Sequence, residues 1–151
     1  MKRFLFLILI VSFNISASDE GIQQWVYNTL ERAQANLDKG NIEAAEKIYY
    51  DYANDTWSSR SYDHFVFLRT YAYFLLSYDR NEEALRYLKQ ASLKRDMPPY
   101  DIFELHFTLG QVYYVTGDRE NAKKTLLKWV EIGEKNKLDL KPEGYAILAT
   151  I

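Results

Sequence analysis

The chain has 151 residues, inside the roughly 100–200 of a single domain. Its 19 Lys and Arg stand against 21 Asp and Glu, a net charge of -2, which excludes the basic footprint of a nucleic-acid binder. Hydrophobic residues make up 48% and aromatic residues 16%, which excludes disorder, and the lack of cysteine excludes disulfides, thiolate catalysis and thiolate-bound zinc.

The first element predicted is a targeting segment. Lys2 and Arg3 precede an apolar run from Phe4 to Val11, and the small residues Ser16, Ala17 and Ser18 follow. Positive, then apolar, then small is the layout of a secretory signal peptide. A bilayer span needs ~20 apolar residues, and this run is much shorter. Residues 1–18 are therefore expected to be a signal peptide, cleaved near Ala17 or Ser18; retention as a membrane anchor is the alternative. No later stretch reads as a span, since Phe65 to Leu76 carries Arg69 and tyrosines and reads as a buried helix. Small exported domains of eukaryotes more often carry disulfides, so a cysteine-free one points to a bacterial periplasm.

Residues 19–151 are expected to be all-α. Three segments share one pattern. Gly40-Asn41-Ile42-Glu43-Ala44-Ala45 leads to Tyr49, Asp79-Arg80-Asn81-Glu82-Glu83-Ala84 to Leu88, and Gly117-Asp118-Arg119-Glu120-Asn121-Ala122 to Leu126. The aligned alanines Ala45, Ala84 and Ala122 are 39 and 38 residues apart, a period that signals stacked units. Each unit reads as two helices around a tight turn, over about 22–56, 62–96 and 100–135.

In the first unit, Ile22, Val26, Leu30, Ala33 and Leu37 make a helical stripe, and Ile42, Ala45, Ile48, Tyr49 and Tyr52 a second. Arg32 and Asn36 fall where the other units are small or apolar, so a slip of one residue is expected there. In the second, Leu68, Tyr71, Ala72 and Leu75 precede Ala84, Leu88 and Ala91, with Asn81 expected as the helix cap. In the third, Phe103, Leu109, Gly110 and Tyr113 share a face. Gly117 is expected to end that helix and Asp118 to cap the next, which carries Ala122, Leu126, Trp129 and Val130. A short last helix, about 142–150, opens on Pro142 and is apolar. It is read as a cap on the third unit or as an edge that docks another subunit.

These residues resemble the tetratricopeptide repeat family. Its signature places a large residue and a leucine, then a small residue and an aromatic, in the first helix, Gly-Asp at the turn, and alanine and an aromatic in the second helix. His106, Leu109, Gly110, Tyr113, Gly117, Asp118 and Ala122 stand at matching places, with His106 for the signature tryptophan and Leu126 for the second aromatic. The family period is about 34, shorter than here. The resemblance implies a right-handed α-α solenoid of about three helix-turn-helix repeats plus a short C-terminal helix. It also implies a protein-binding scaffold whose first helices line a concave groove. Helical spacing on that side selects Tyr27, Gln34 and Asp38, then Arg69 and Tyr73, then Glu104, Phe107, Gln111 and Tyr114. Arg69 is expected to take a carboxylate from a bound peptide. The lysine and asparagine clamp by which some members hold peptide C-termini is absent.

Catalytic constellations are not found in the sequence. His106 sits at a packing place, and His64 beside Asp63 before a helix, 42 residues away with no third ligand at metal spacing. Glu43 with Glu46, and Glu82 with Glu83, fall at helix starts, where the dipole favours carboxylates. Lys123, Lys124, Lys128, Lys135, Lys137 and Lys141 alternate with acids and read as a solvated face. The expectation is thus a non-enzymatic module in a bacterial envelope, without cofactor or metal, whose partner is another protein or peptide. Self-association through the ends of the array is the alternative. An enzyme assembled from dispersed residues is the third reading.

Overall fold

Turn chemistry sets the architecture. The computed structural model describes residues 22–55 and 61–151, and every regular element among them is a helix. In chain order they are α1 (Gln24–Asp38), α2 (Ile42–Ala53), α3 (Ser61–Ser77), α4 (Asn81–Ser92), α5 (Pro99–Val115), α6 (Arg119–Asn136) and α7 (Pro142–Thr150). The described residues are all-α: three hairpins, α1–α2, α3–α4 and α5–α6, follow one another, and α7 comes after them. The expected signal peptide lies outside the described residues.

Each hairpin closes through the same three-residue turn. Its middle residue has a left-handed backbone: Gly40 at φ 78°, Asp79 at 58° and Gly117 at 86°. The following amide reaches back five residues, Asn41 N to Asn36 O at 2.8 Å, Arg80 N to Leu75 O at 3.0 Å and Asp118 N to Tyr113 O at 2.9 Å. This bond satisfies a carbonyl that the helix end leaves bare. Glycine reaches that conformation without steric cost, and aspartate is among the few other residues that tolerate it.

The next helix starts differently in each unit. Asp118 caps α6, its Oδ1 accepting from Asn121 N at 3.1 Å. Asn81 does not cap α4. It is the first residue inside the helix, and Arg80 occupies the cap without a side-chain bond to the backbone.

Small residues set how closely the helices pack. Ala45, Ala84 and Ala122 are each the fourth residue of their helix and are 0% exposed. Ala33, Ala72 and Gly110 repeat at the same 39 and 38 residues in the first helices, and all three are buried. A methyl group on Gly110 would meet Leu126 Cγ and Cδ2 at 2.6 Å, so α5 and α6 are in contact there. Ala33 takes the small place in α1, and the first unit therefore keeps the register of the others without a slip. Arg32 is exposed and Asn36 half-buried because α1 has a neighbouring hairpin on one side only among the described residues.

Two apolar clusters result. The larger runs from Ala33 through Leu68, Leu75 and Leu88 to Leu109 and Ala122, crossing all three hairpins. The smaller holds Phe103, Phe107, Leu126 and Trp129 and is closed by Leu138, Leu140, Ile147 and Leu148. Among the described residues, no helix is long and apolar enough to cross a membrane.

The spine makes a specific demand on stability. Ala84→Leu forces three extra carbons into a filled place between α3 and α4 and should cost about 2–3 kcal/mol in urea unfolding. Ala44→Leu, on the exposed side of α2, is the matched control and should leave the midpoint unchanged.

Candidate functional site

The face of the first helices carries the nine residues that spacing selects. The structure divides them into two groups. On α1, Tyr27, Gln34 and Asp38 are exposed. They lie 7 and 4 residues apart, so one side of the helix presents all three. Gln34 Nε2 donates to Asp38 Oδ1 at 2.8 Å. The Glu31 carboxylate, one turn on from Tyr27, holds the pKa of that hydroxyl up. These interactions are local to α1.

On α3 and α5 the corresponding groups are spent inside the chain. Arg69 Nη1 donates to Asp101 Oδ1 at 2.7 Å, and the two side chains are only 16% and 13% exposed. The guanidinium also lies 5.2 Å from the centre of the Phe65 ring. Tyr62 donates to the other Asp101 oxygen at 3.0 Å. Burial and the Asp101 carboxylate push the Tyr62 hydroxyl up to about 12, so it remains a donor. Tyr73 and Thr108 share a hydroxyl contact at 3.4 Å, and burial raises the Tyr73 pKa. The carboxylate expected from a bound peptide is therefore supplied by the next hairpin.

The third hairpin is engaged in the same way by α7. Lys141 Nζ donates to Glu104 Oε2 at 2.8 Å and lies 4.6 Å over the Phe107 ring. Thr150 donates to the Tyr114 hydroxyl at 3.3 Å. Phe107 is 5% exposed and belongs to the smaller apolar cluster, so its ring does not line an open surface. Gln111 is half-buried, one repeat along from Tyr73.

A second polar seam joins the first hairpin to the second. Arg80 Nη1 donates to Glu46 Oε1 at 2.6 Å, and Tyr71 donates to the same oxygen at 2.9 Å. Asn54 Nδ2 donates to the Tyr87 hydroxyl at 2.9 Å. Glu46 is thus an inter-hairpin acceptor, while Glu82 and Glu83 lie exposed in the first turn of α4.

Each histidine places one ring nitrogen on a backbone carbonyl. His64 Nε2 is 2.9 Å from Ala53 O, and His106 Nδ1 is 2.8 Å from Ile102 O. Among the described residues, no three His, Cys, Asp or Glu side chains converge as metal ligands. No family model matches the chain, and no curated protein matches it at a significant level.

Asp101, Lys141, Glu46 and Thr108 were not selected from sequence. Their partners lie 32, 37, 34 and 35 residues away. A pairing of opposite charges slightly short of one period was the available signal.

Arg69 is therefore a folding residue. Arg69→Ala strands a buried carboxylate and should cost about 3 kcal/mol of stability, read as a lowered urea midpoint. A second expectation concerns pH. Burial lowers the pKa of His106, so the folded chain holds it neutral where the unfolded chain binds a proton. That contribution is present above the unfolded value of about 6.5 and is lost as the pH falls through it. His106→Leu copies Leu68 of the second unit, and its stability relative to wild type should be flat above about pH 7 and rise as the pH falls below about 6.5.

Proposed function

We propose that this chain is an exported module of tetratricopeptide type in a bacterial envelope, and that it displays a surface on which a partner protein or peptide is held. Its mechanism is positioning, with no bond chemistry and no cofactor. The carrying observation is the division of the first-helix face. Hairpins two and three use their polar groups to hold the stack rigid. Meanwhile α1 offers Tyr27, Gln34 and Asp38 to solvent, with Gln34 and Asp38 already joined by a hydrogen bond on their own helix. A surface set in place before binding loses less entropy on association. Tyrosine suits this role because it combines a broad apolar ring with a polar tip.

Charge narrows the partner. The first hairpin, residues 22–55, has six carboxylates against three cations. A segment bearing lysine or arginine, laid along α1, is the complementary ligand. Charge of this kind chiefly speeds encounter and sets orientation. The repeated Ala or Gly of the first helix, the left-handed turn residue and the alanine of the second helix support the tetratricopeptide reading.

The test uses the natural extract. A column of the wild-type chain should retain a partner from the native envelope, and Tyr27→Ala with Asp38→Ala should weaken retention about 30-fold while the urea midpoint stays put. Undiminished capture by the double variant would move the binding surface off α1. Export has its own readout: protein recovered from the periplasm should begin at Ser18 or Asp19.

A further inference from the structure

We propose that two copies of this chain exchange α7, each seating its last helix on the third hairpin of the other. The proposal stands independently of the display surface on α1.

The seat for α7 is chemically particular. Gly144 lies against the Trp129 ring so closely that a methyl group there would collide with it. Tyr145 meets the same ring edge-on, with centroids 5.9 Å apart. Lys141 joins Glu104 and covers Phe107. A helix that fits this seat needs a cation three residues before a glycine and an aromatic directly after it. Without such a helix the Phe103–Phe107–Leu126–Trp129 cluster is unfinished, since Ile147 and Leu148 form part of its cover. The occupant that meets every requirement is α7, from the same chain or from a second copy.

Two features favour release from the home seat. Only Gly144 of the nine residues of α7 is buried. The Trp129 Nε1–H is fully buried with no acceptor among the described residues. Opening gives that donor water and offsets part of the lost packing.

The hinge supplies the drive. Residues 137–141 join α6 to α7, and Lys137 closes α6 with φ 54° and ψ 43°. The same place in the three hairpin turns holds Gly40, Asp79 and Gly117. Lysine has neither the freedom of glycine nor the short polar side chain of aspartate, so this turn is strained. Short strained hinges favour exchange over closure. Turning Lys137 to the right-handed form relieves the strain and lengthens α6 through Leu138 toward Leu140. The residue before Pro142 resists helix, so the extension stops there and α7 is carried away from its own hairpin. The seat on another copy then offers the contacts that α7 left, while Leu138 and Leu140 give up their places on the home cluster.

The Lys141–Glu104 pair reports the exchange without any substitution. Equal amounts of unlabelled and nitrogen-15 chains are refolded together at high concentration, separated by size and treated with a carbodiimide. This reagent joins a touching lysine and carboxylate as an amide. Exchange predicts a dimer fraction in which peptides linking Lys141 to Glu104 carry one light and one heavy partner about half the time, as random pairing of two labels requires. Lys137→Gly should then lower the dimer fraction about tenfold, since glycine removes the cost of the closed hinge. A dimer whose Lys141–Glu104 links are all of one isotope, or a chain that stays monomeric at every concentration, overturns the proposal. An unchanged dimer fraction in Lys137→Gly overturns the hinge as its cause.

Discussion

The contact on which the structure depends is the close approach of the two helices of each hairpin at a pair of small residues. Ala33, Ala72 and Gly110 in the first helices, and Ala45, Ala84 and Ala122 in the second, recur at one period and are buried, and in the third hairpin a methyl group on Gly110 would collide with Leu126. Small side chains let the backbones come near, and the larger groups around them then meet across the gap. Leu88 and Leu126 are 0% exposed for this reason. An isolated hairpin of this kind leaves one side bare. The next hairpin covers it, and the apolar cluster that crosses all three units is the result.

The polar groups at the seams answer a different need. Apolar packing alone tolerates sliding of one hairpin along the next. Arg69 on Asp101, Arg80 on Glu46 and Asn54 on Tyr87 set the register, because each bond is lost if a hairpin shifts by a few ångströms. A buried pair such as Arg69–Asp101 adds little net stability over a well-packed apolar pair, yet breaking it is costly, which is the behaviour of a device for specificity. The exposed pairs Lys47–Asp51 and Lys128–Glu131 have no such role, since solvent screens them and holding two long side chains together costs entropy.

Much of the fold was legible because its signals are local. Glycine and aspartate at the turns, alanine at the fourth helical position and apolar residues at helical spacing all act within one hairpin. The register of α1 was obscured because Arg32 and Asn36 break the apolar pattern on a face that no earlier hairpin covers among the described residues. The side-chain assignments on the first-helix face fared less well. Spacing places Arg69, Glu104 and Phe107 on that face, but it carries no information on what the neighbouring hairpin sends across. Asp101, one residue among several acids in the linear order, became decisive only through tertiary contact. On α1 the interaction of Gln34 with Asp38 lies within one turn of the same helix, so spacing alone places it.

Native-state hydrogen exchange tests the central claim most directly, since it reads the opening free energy of each helix separately. If one apolar spine and its seams unite the hairpins, the slowest amides of α3, α4, α5 and α6 should share a single free energy equal to that of global unfolding. A distinct, lower value for each hairpin would mean that the units open independently, and the continuous spine would be contradicted.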